Sequence, residues 1–418
     1  MTPNTSAVPN QPATAFLGLA PYLRMSIAGT DLKPTADALL AKAQAQPLDA
    51  NLWMNLATVM QCLGQRDLGL RLQAQALDLQ RIYHLAASRQ PARLRLLMLL
   101  VPGDLAANTP LDCLLENCDI DLDFYYCTPG DPLALPMPDH DALLLAMSEC
   151  DDNRELLLSL EQALASWPKP VINAPRHIPK IGRDAASSLL QNVAGLLIPP
   201  TLRASRVALQ AIASGADRLS ERVVGCDFPI IVRPLGSHGG HDLARINAHA
   251  DLEQYLLQVQ DLEFYISRFI DYSASDGYFR KIRVALIDGL AYACHMAVSA
   301  HWMIHYVNAG MYEEAWKREQ ELAFMTHFDA FVKRHKTALD AIASRTGLDY
   351  VCVDCAETPD GMLLVFEVDH AMVVHAMDLE DQFPYKQLHM QKVKDGFVTY
   401  LLRICHAGTS PIMPPVAV

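Results

Sequence analysis

Basic residues are the minority charge in this 418-residue chain, with 34 Lys and Arg against 47 Asp and Glu, a formal net charge of −13. A body of that sign repels phosphate backbones and anionic lipid, which excludes nucleic acid and an anionic membrane as main partners. Long apolar runs are lacking as well. No run reaches about 18 apolar residues, the length a membrane-spanning helix needs, so no membrane span is expected. Met1 to Ala20 contains no Lys or Arg and no extended apolar core, unlike a secretory leader. Ten cysteines follow no repeating frame. Cys352 and Cys355 form one C-x-x-C, but no second pair stands at a zinc-ribbon spacing, so the pair reads as structural. Free buried thiols imply a reducing compartment, and the cytoplasm is the expectation.

What is present describes an ordered globular protein, 51% hydrophobic and 19% charged, long enough for two or three domains. Residues 1–14 are rich in Pro, Asn, Thr and Ala and read as a mobile N-terminus. Residues 15–91 read as helical, with helices over Ala36–Ala45, Ala50–Leu63 and Asp67–Ala87. Trp53, Leu56, Ala57, Gly64 and Ala76 match much of a tetratricopeptide-like pattern, and a plain helical pair capping the next domain is the alternative. Residues 92–200 alternate strands (Leu94–Val101, Ile120–Cys127, Asp141–Met147, Pro170–Asn173) with helices, which predicts a parallel, doubly wound sheet. Residues 201–405 hold the remaining strands and a long helix near Glu313–Arg345. Residues 406–418 form a tail.

Near the C-terminus, Asp349-Tyr350-Val351-Cys352-Val353-Asp354 and Leu363-Leu364-Val365-Phe366-Glu367-Val368-Asp369 flank the turn Glu357-Thr358-Pro359-Asp360-Gly361. This pattern predicts a hairpin. Strand alternation puts Glu367 and Asp369 on one face, where Asp354 can join them. They are either solvated acids or the oxygen ligands of a cation, and such ligands suit Mg²⁺. Upstream, Phe228 to His241 is an apolar strand that delivers Arg233 and runs into the loop Gly236-Ser237-His238-Gly239-Gly240. A cation beside glycines that free backbone N–H groups suits phosphate. The loop is neither a Walker A sequence nor a dinucleotide fingerprint.

The order of these segments resembles the ATP-grasp superfamily, in its glutathione synthetase and RimK-like branch. The resemblance runs from about Val171 to about Ile404. Val171-Ile172-Asn173-Ala174-Pro175 resembles the segment opening the nucleotide-binding region, and Leu197-Ile198-Pro199-Pro200-Thr201 the strand after it. Arg233 takes the place of a triphosphate-binding lysine. Phe264 to Ile270 resembles the hinge strand that contacts adenine, with Arg268, Phe269 and Ile270 at the base. Phe279 to Gly289 resembles the next strand, in which Lys281 and Arg283 reach phosphate. Asp354, Glu367 and Asp369 fall on the metal ligands. Residues 92–200 then resemble a Rossmann-like pre-ATP-grasp domain, and 201–405 a two-subdomain ATP-grasp domain. The fold class is α/β, with α+β character in the nucleotide-binding part and a helical N-terminal segment.

The function implied is an ATP-dependent ligase that uses ATP and Mg²⁺. It activates a carboxylate as an acyl phosphate and joins it to an amine or other nucleophile of a small molecule or peptide. Arg283, His301, His305 and His370 are the candidate catalytic residues, with His375 close behind. His301 and His305 have alternative readings, as a metal pair on one helix face or as packed structural residues. If they are structural, the acceptor pocket is expected against Pro102-Gly103-Asp104. Departures from the family pattern motivate a second function. Asp369 stands for Asn, Arg268 for an acid, and only Lys180 and Arg183 lie near the place of an early lysine. The second function is a nucleotide-binding scaffold without ligase activity, whose helical N-terminus recruits a protein partner. A homodimer is a candidate assembly. A metal-dependent hydrolase is the weakest reading, because no His/Asp ligand set has a recognisable spacing.

Overall fold

The computed structural model describes residues 14–128, 130–222, 226–237 and 239–407. Three sheets organise the chain. The first contains β1 (Ile82–Leu85), β2 (Leu94–Leu100), β3 (Ile120–Tyr126), β4 (Ala142–Leu145) and β5 (Val171–Ile172), in the order β1-β3-β2-β4-β5. The last four are parallel and β1 is an antiparallel edge. Strand β2 reads Leu-Arg-Leu-Leu-Met-Leu-Leu and is buried at all but the arginine. That near-continuous apolar run is what a strand covered on both faces requires.

Sequence and structure differ first at β1. The expected helix over Asp67–Ala87 ends at Leu79, where Gln80 is extended. Tyr83 is then fully buried on the sheet, and its hydroxyl donates to the Ala76 carbonyl at 2.9 Å. Pairing with β3 overrides the helical tendency of this stretch.

The helices Ala20–Ile27 and Lys33–Ala45 pack on Ala50–Cys62, which pairs with Arg66–Leu79. Asp49 caps the third by accepting from the N–H groups of Asn51 and Leu52. Gly69 permits the tight crossing of the last two, since a Cβ there would lie 2.4 Å from Gln61 Cγ. Trp53, Leu56 and Ala76 share one core with Phe16, Tyr83 and the first sheet, so the pair caps the sheet.

The second sheet has the order β7 (Thr201–Ser205), β10 (Glu263–Arg268), β8 (Ile230–Pro234), β9 (Ala244–Ile246), antiparallel throughout. Ile230, Val232, Phe264 and Ile266 point to the helices Arg206–Ala213 and His249–Gln258 and form a core with Leu209, Leu252 and Leu256. The alternate residues Ile231, Arg233, Tyr265 and Ser267 are left for the opposite face.

The third sheet runs β12 (Leu290–Ser299), β11 (Phe279–Ile287), β13 (Tyr350–Glu357), β14 (Leu363–Asp369), β6 (Leu196–Leu197). The acidic hairpin is β13–β14. Strand β6 pairs here, parallel to β14, although its sequence position groups it with the first sheet. The expected long helix near Glu313–Arg345 is two helices, Ala315–Thr326 and Phe328–Thr346, which meet at His327. Phe324, Phe328 and Phe331 pack together across the break. Among the described residues no helix is long and apolar enough to cross a membrane.

Candidate functional site

Register across the third sheet builds the site. Arg283 on β11 is directly opposite Asp354 on β13, and Asp354 is opposite Glu367 on β14. Opposed residues share a face, so the three form a row across the strands, with Lys281 two residues back on the same side. Irregularities interrupt pairing at Arg283/Val284 and at Asp354/Cys355. Bulges of this kind re-aim side chains beside sites. Asp354 accepts from Arg283 Nε at 2.7 Å and Nη2 at 3.0 Å, and pairs with Lys281 Nζ at 2.7 Å. Glu367 pairs with Arg183.

This row floors a cleft of about 260 Å³ that the second sheet faces through Ile231, Arg233, Tyr265 and Ser267. Five cations (Arg183, Arg233, Arg268, Lys281, Arg283) stand against two carboxylates (Asp354, Glu367), so the cleft is basic on an acidic chain. Burial alone would raise the Asp354 carboxyl, but Arg283 and Lys281 outweigh it and hold the group well below the usual range. Burial works against Glu367 ionisation too, and Arg183 and Arg233 win, with Asp354 opposing them. Arg233 is pushed down to about 10, first by burial and then by Arg183. Glu367 opposes that shift only in part.

The glycine loop borders this cation cluster. Arg233 Nε donates to Ser237 Oγ at 3.1 Å, so Ser237 anchors the arginine without lining the cleft. Gly239 and Gly240 line it, and Gly236 does not. His238 lies outside the described residues. At Gly240, φ is +74°, and a Cβ would fall 2.3 Å from His305 Nε2. At the other end Arg268, Phe269 and Ile270 join apolar walls from Ile198, Pro199, Leu364 and Phe366. The Arg245 guanidinium lies over the Phe269 ring at 4.1 Å.

No family model and no curated protein matches the chain. Several solved structures are similar in fold. The D-alanine–D-alanine ligase of Bacillus anthracis, complexed with ATP, is 15% identical with a TM-score of 0.43 over 75% of this chain and 99% of that one. The corresponding ligase of Coxiella burnetii is 11% identical, TM-score 0.46, over 76% and 96%. A RimK domain ATP-grasp protein of Sphaerobacter thermophilus is 16% identical, TM-score 0.40, over 73% and 99%.

The histidines separate. His305 lines the cleft, and its Nε2 is buried with no hydrogen-bond partner. Burial, then Lys281, keeps it below the usual imidazole range. His301 is exposed and outside the cleft lining, and its N–H donates to Ser299 Oγ at 3.1 Å. Residues 301–305 are not helical, so the two histidines do not share a helix face. His370 is fully buried away from the cleft lining, with Nε2 3.0 Å from the Met147 carbonyl. The end of the first sheet lies over it, which the linear sequence does not reveal. Burial holds His375 at about 4. Asp369 does not line the cleft, and its Oδ1 accepts from the Ala371 N–H at 2.9 Å. Cys352 and Cys355 are both buried, and burial pushes the Cys352 thiol up to about 12.

Among the described residues, no three His, Cys, Asp or Glu side chains are grouped to hold a metal ion. The donor set still fits Mg²⁺ of one kind. Asp354 and Glu367 are hard oxygen donors side by side, each now committed to cations. Two carboxylates suit an ion that completes its shell with phosphate oxygens and water, not one that protein alone encloses. The residue that sequence reading passed over is Arg183, noted only as a neighbour of a missing lysine. It reaches Glu367 from 184 positions away.

Proposed function

We propose that the cleft binds ATP with Mg²⁺ and that the chain is an ATP-dependent ligase. It activates a carboxylate as an acyl phosphate and passes the acyl group to an amine or other nucleophile of a small molecule or peptide. One observation carries the reading: the row Arg283–Asp354–Glu367, with Lys281, Arg183 and Arg233 beside it, in a cleft that also has apolar walls. Asp354 and Glu367 would hold bound Mg²⁺, which would supply neutralisation of the phosphate charge. Phosphoryl transfer asks the protein mainly for in-line positioning and electrostatic stabilisation.

Lys281 and Arg283 would turn from Asp354 to phosphate oxygens, which frees that carboxylate for the metal. Arg183 would release Glu367 in the same way. Arg233 would hold charge that develops on the transferred group. Gly239 and Gly240 would close over the phosphates and exclude water. Ile198, Phe269, Ile270 and Phe366 would flank the base. His305, held neutral, is placed to accept a proton from the incoming nucleophile.

The double pairing of Asp354 favours a second reading, a nucleotide-binding scaffold in which the cations never release the acid. Calorimetry with ATP, with and without Mg²⁺, tests the shared part: no binding up to millimolar ATP overturns both readings. Release of ADP and phosphate, screened over acids and amines, separates them. Turnover that requires both an acid and a nucleophile supports the ligase, and binding without any turnover supports the scaffold.

A further inference from the structure

Three of the four tryptophans spend their indole N–H on the protein. Trp53 Nε1 donates to the Pro47 carbonyl at 3.0 Å, Trp167 Nε1 to His140 Nε2 at 3.1 Å, and Trp316 Nε1 to Glu314 Oε2 at 2.8 Å. The fourth, Trp302, has no such partner among the described residues, and it is the one that lines the cleft. Its Nε1 does not belong to the fully covered polar atoms that lack a partner, so the donor stays open to solvent or to a ligand. Indole N–H groups at apolar surfaces are normally spent on an acceptor.

Trp302 stands just beyond β12, and Phe269 is the first residue after β10. Their rings meet edge to face, with centroids 5.7 Å apart and planes at 81°, so the contact joins the third sheet to the second across the cleft. The Tyr272 hydroxyl donates to the Trp302 carbonyl and pins its backbone to the segment after β10. Arg245 covers the Phe269 ring at 4.1 Å, and only 8% of Phe269 is exposed. Trp302 is half-buried. Of these two rings, the surface left for a ligand is mostly the indole's. Its neighbours in the chain, Met303 and Ile304, also line the cleft and carry no charge. A phosphate gains little from such a wall, whereas a heterocycle with acceptor atoms on its edge can use both the apolar contact and the donor.

We infer that Trp302 is a further binding residue, whose indole N–H donates to an acceptor on the edge of the nucleotide base. Such a role presupposes that the cleft takes ATP. Indole nitrogen is a donor only, so it reads an acceptor and nothing else. The histidine-rich stretch around residues 301–305 then serves the base through Trp302 as well as the nucleophile through His305, and both side chains line the cleft.

Calorimetry on the full chain in Mg²⁺ tests this, with ATP and with ribose 5-triphosphate, which is ATP without its base. Trp302→Phe keeps a ring against Phe269 and removes the donor. It should weaken ATP about fivefold and leave ribose 5-triphosphate within about twofold. Trp302→Ala removes the ring too and should weaken ATP about tenfold or more. Indole emission gives a second measurement. ATP should change it in wild type, and ribose 5-triphosphate should not. The change should vanish in Trp302→Phe, whose three remaining tryptophans do not line the cleft, while calorimetry still registers ATP. Unchanged ATP affinity in both variants, an equal loss for the two ligands, or ATP binding without a change in emission overturns the role and leaves the ATP reading standing. No ATP binding to wild type removes that reading, and the role with it.

Discussion

Arg283 and Asp354 stand directly opposite each other on neighbouring strands and are joined by a two-pronged ion pair, at 2.7 and 3.0 Å. Asp354 is 2% exposed, so the pair is removed from water. The carboxylate holds two cations, Arg283 and Lys281, in place. Removing one partner of a buried pair leaves uncompensated charge, which is worse than removing both. Asp354→Asn should therefore lower stability by about 3 kcal/mol in urea unfolding. Adding Arg283→Met to it should recover part of the loss. A loss within experimental error would mean that water reaches the pair.

Glu367 differs because its Arg183 partner comes from a separate segment and both are about a quarter exposed. Glu367→Gln should shift the unfolding midpoint less than Asp354→Asn does. Under the ATP reading it should weaken nucleotide binding about tenfold or more in Mg²⁺, because one anionic ligand is lost. Binding without Mg²⁺ should change little. Calorimetry of both proteins, with and without the metal, measures this, and an equal fall in the two conditions would remove Glu367 from the metal site.

The hairpin and its acids were readable because alternation with a period of two and a turn rich in Pro, Asp and Gly are local signals. Asp354 and Glu367 do share a face. Long-range pairing was not readable. Nothing near Arg183 points to Glu367, and nothing near His370 reveals that the Met147 carbonyl meets it. Polar residues beside a motif look like pocket residues until the covering layer is known. The same applies to Tyr83, whose stretch continues a helical pattern but pairs with β3.

Asn173 shows how a short sequence signal can serve architecture. It sits at φ +56° beyond β5 and is fully buried. Its Oδ1 accepts the N–H groups of Asp349 at 2.9 Å and Tyr350 at 3.0 Å, and its Nδ2 donates to the Tyr350 carbonyl at 2.9 Å. This stitches the first sheet to the start of β13. Asn173→Ala should destabilise by about 3 kcal/mol, since buried backbone groups lose partners. Asn173→Gly should recover about 1 kcal/mol of that, because only glycine adopts the left-handed conformation without strain. Equal losses would mean that the backbone relaxes there.

Glu149 gives a pH signature. Burial raises its carboxyl from 4.5 to about 7, with Arg203 opposing and Asp151 and Asp184 reinforcing. A carboxyl raised on folding binds more protons in the folded state between those two values. Its contribution to stability is therefore full below pH 4.5 and is lost as pH rises through about 7. Glu149→Gln should remove that slope. The shift corresponds to about 3 kcal/mol at most, and partial exposure reduces it to about 1 kcal/mol. The variant should gain that much on wild type between about pH 4 and pH 8, read by urea unfolding at each pH. A constant difference across the range would show that Glu149 titrates as it does in the unfolded chain.

Gly240 and His305 test whether the glycine loop rests on the acceptor side of the cleft. A methyl group at residue 240 would lie 2.3 Å from His305 Nε2, closer than any real contact, on a backbone at φ +74°. Gly240→Ala thus carries two penalties, a steric one against His305 and a conformational one of about 1 kcal/mol. Only the first depends on the histidine. The single variant should weaken ATP binding by more than tenfold, beyond what the conformational term explains alone. His305→Ala alone should leave ATP affinity within a few-fold, since under the ligase reading its side chain serves the nucleophile. Combined with Gly240→Ala it removes the clash, and affinity should return to within about tenfold of wild type, the residue of the conformational term. If the double variant binds no better than Gly240→Ala, the loop does not seat against His305 when nucleotide is bound.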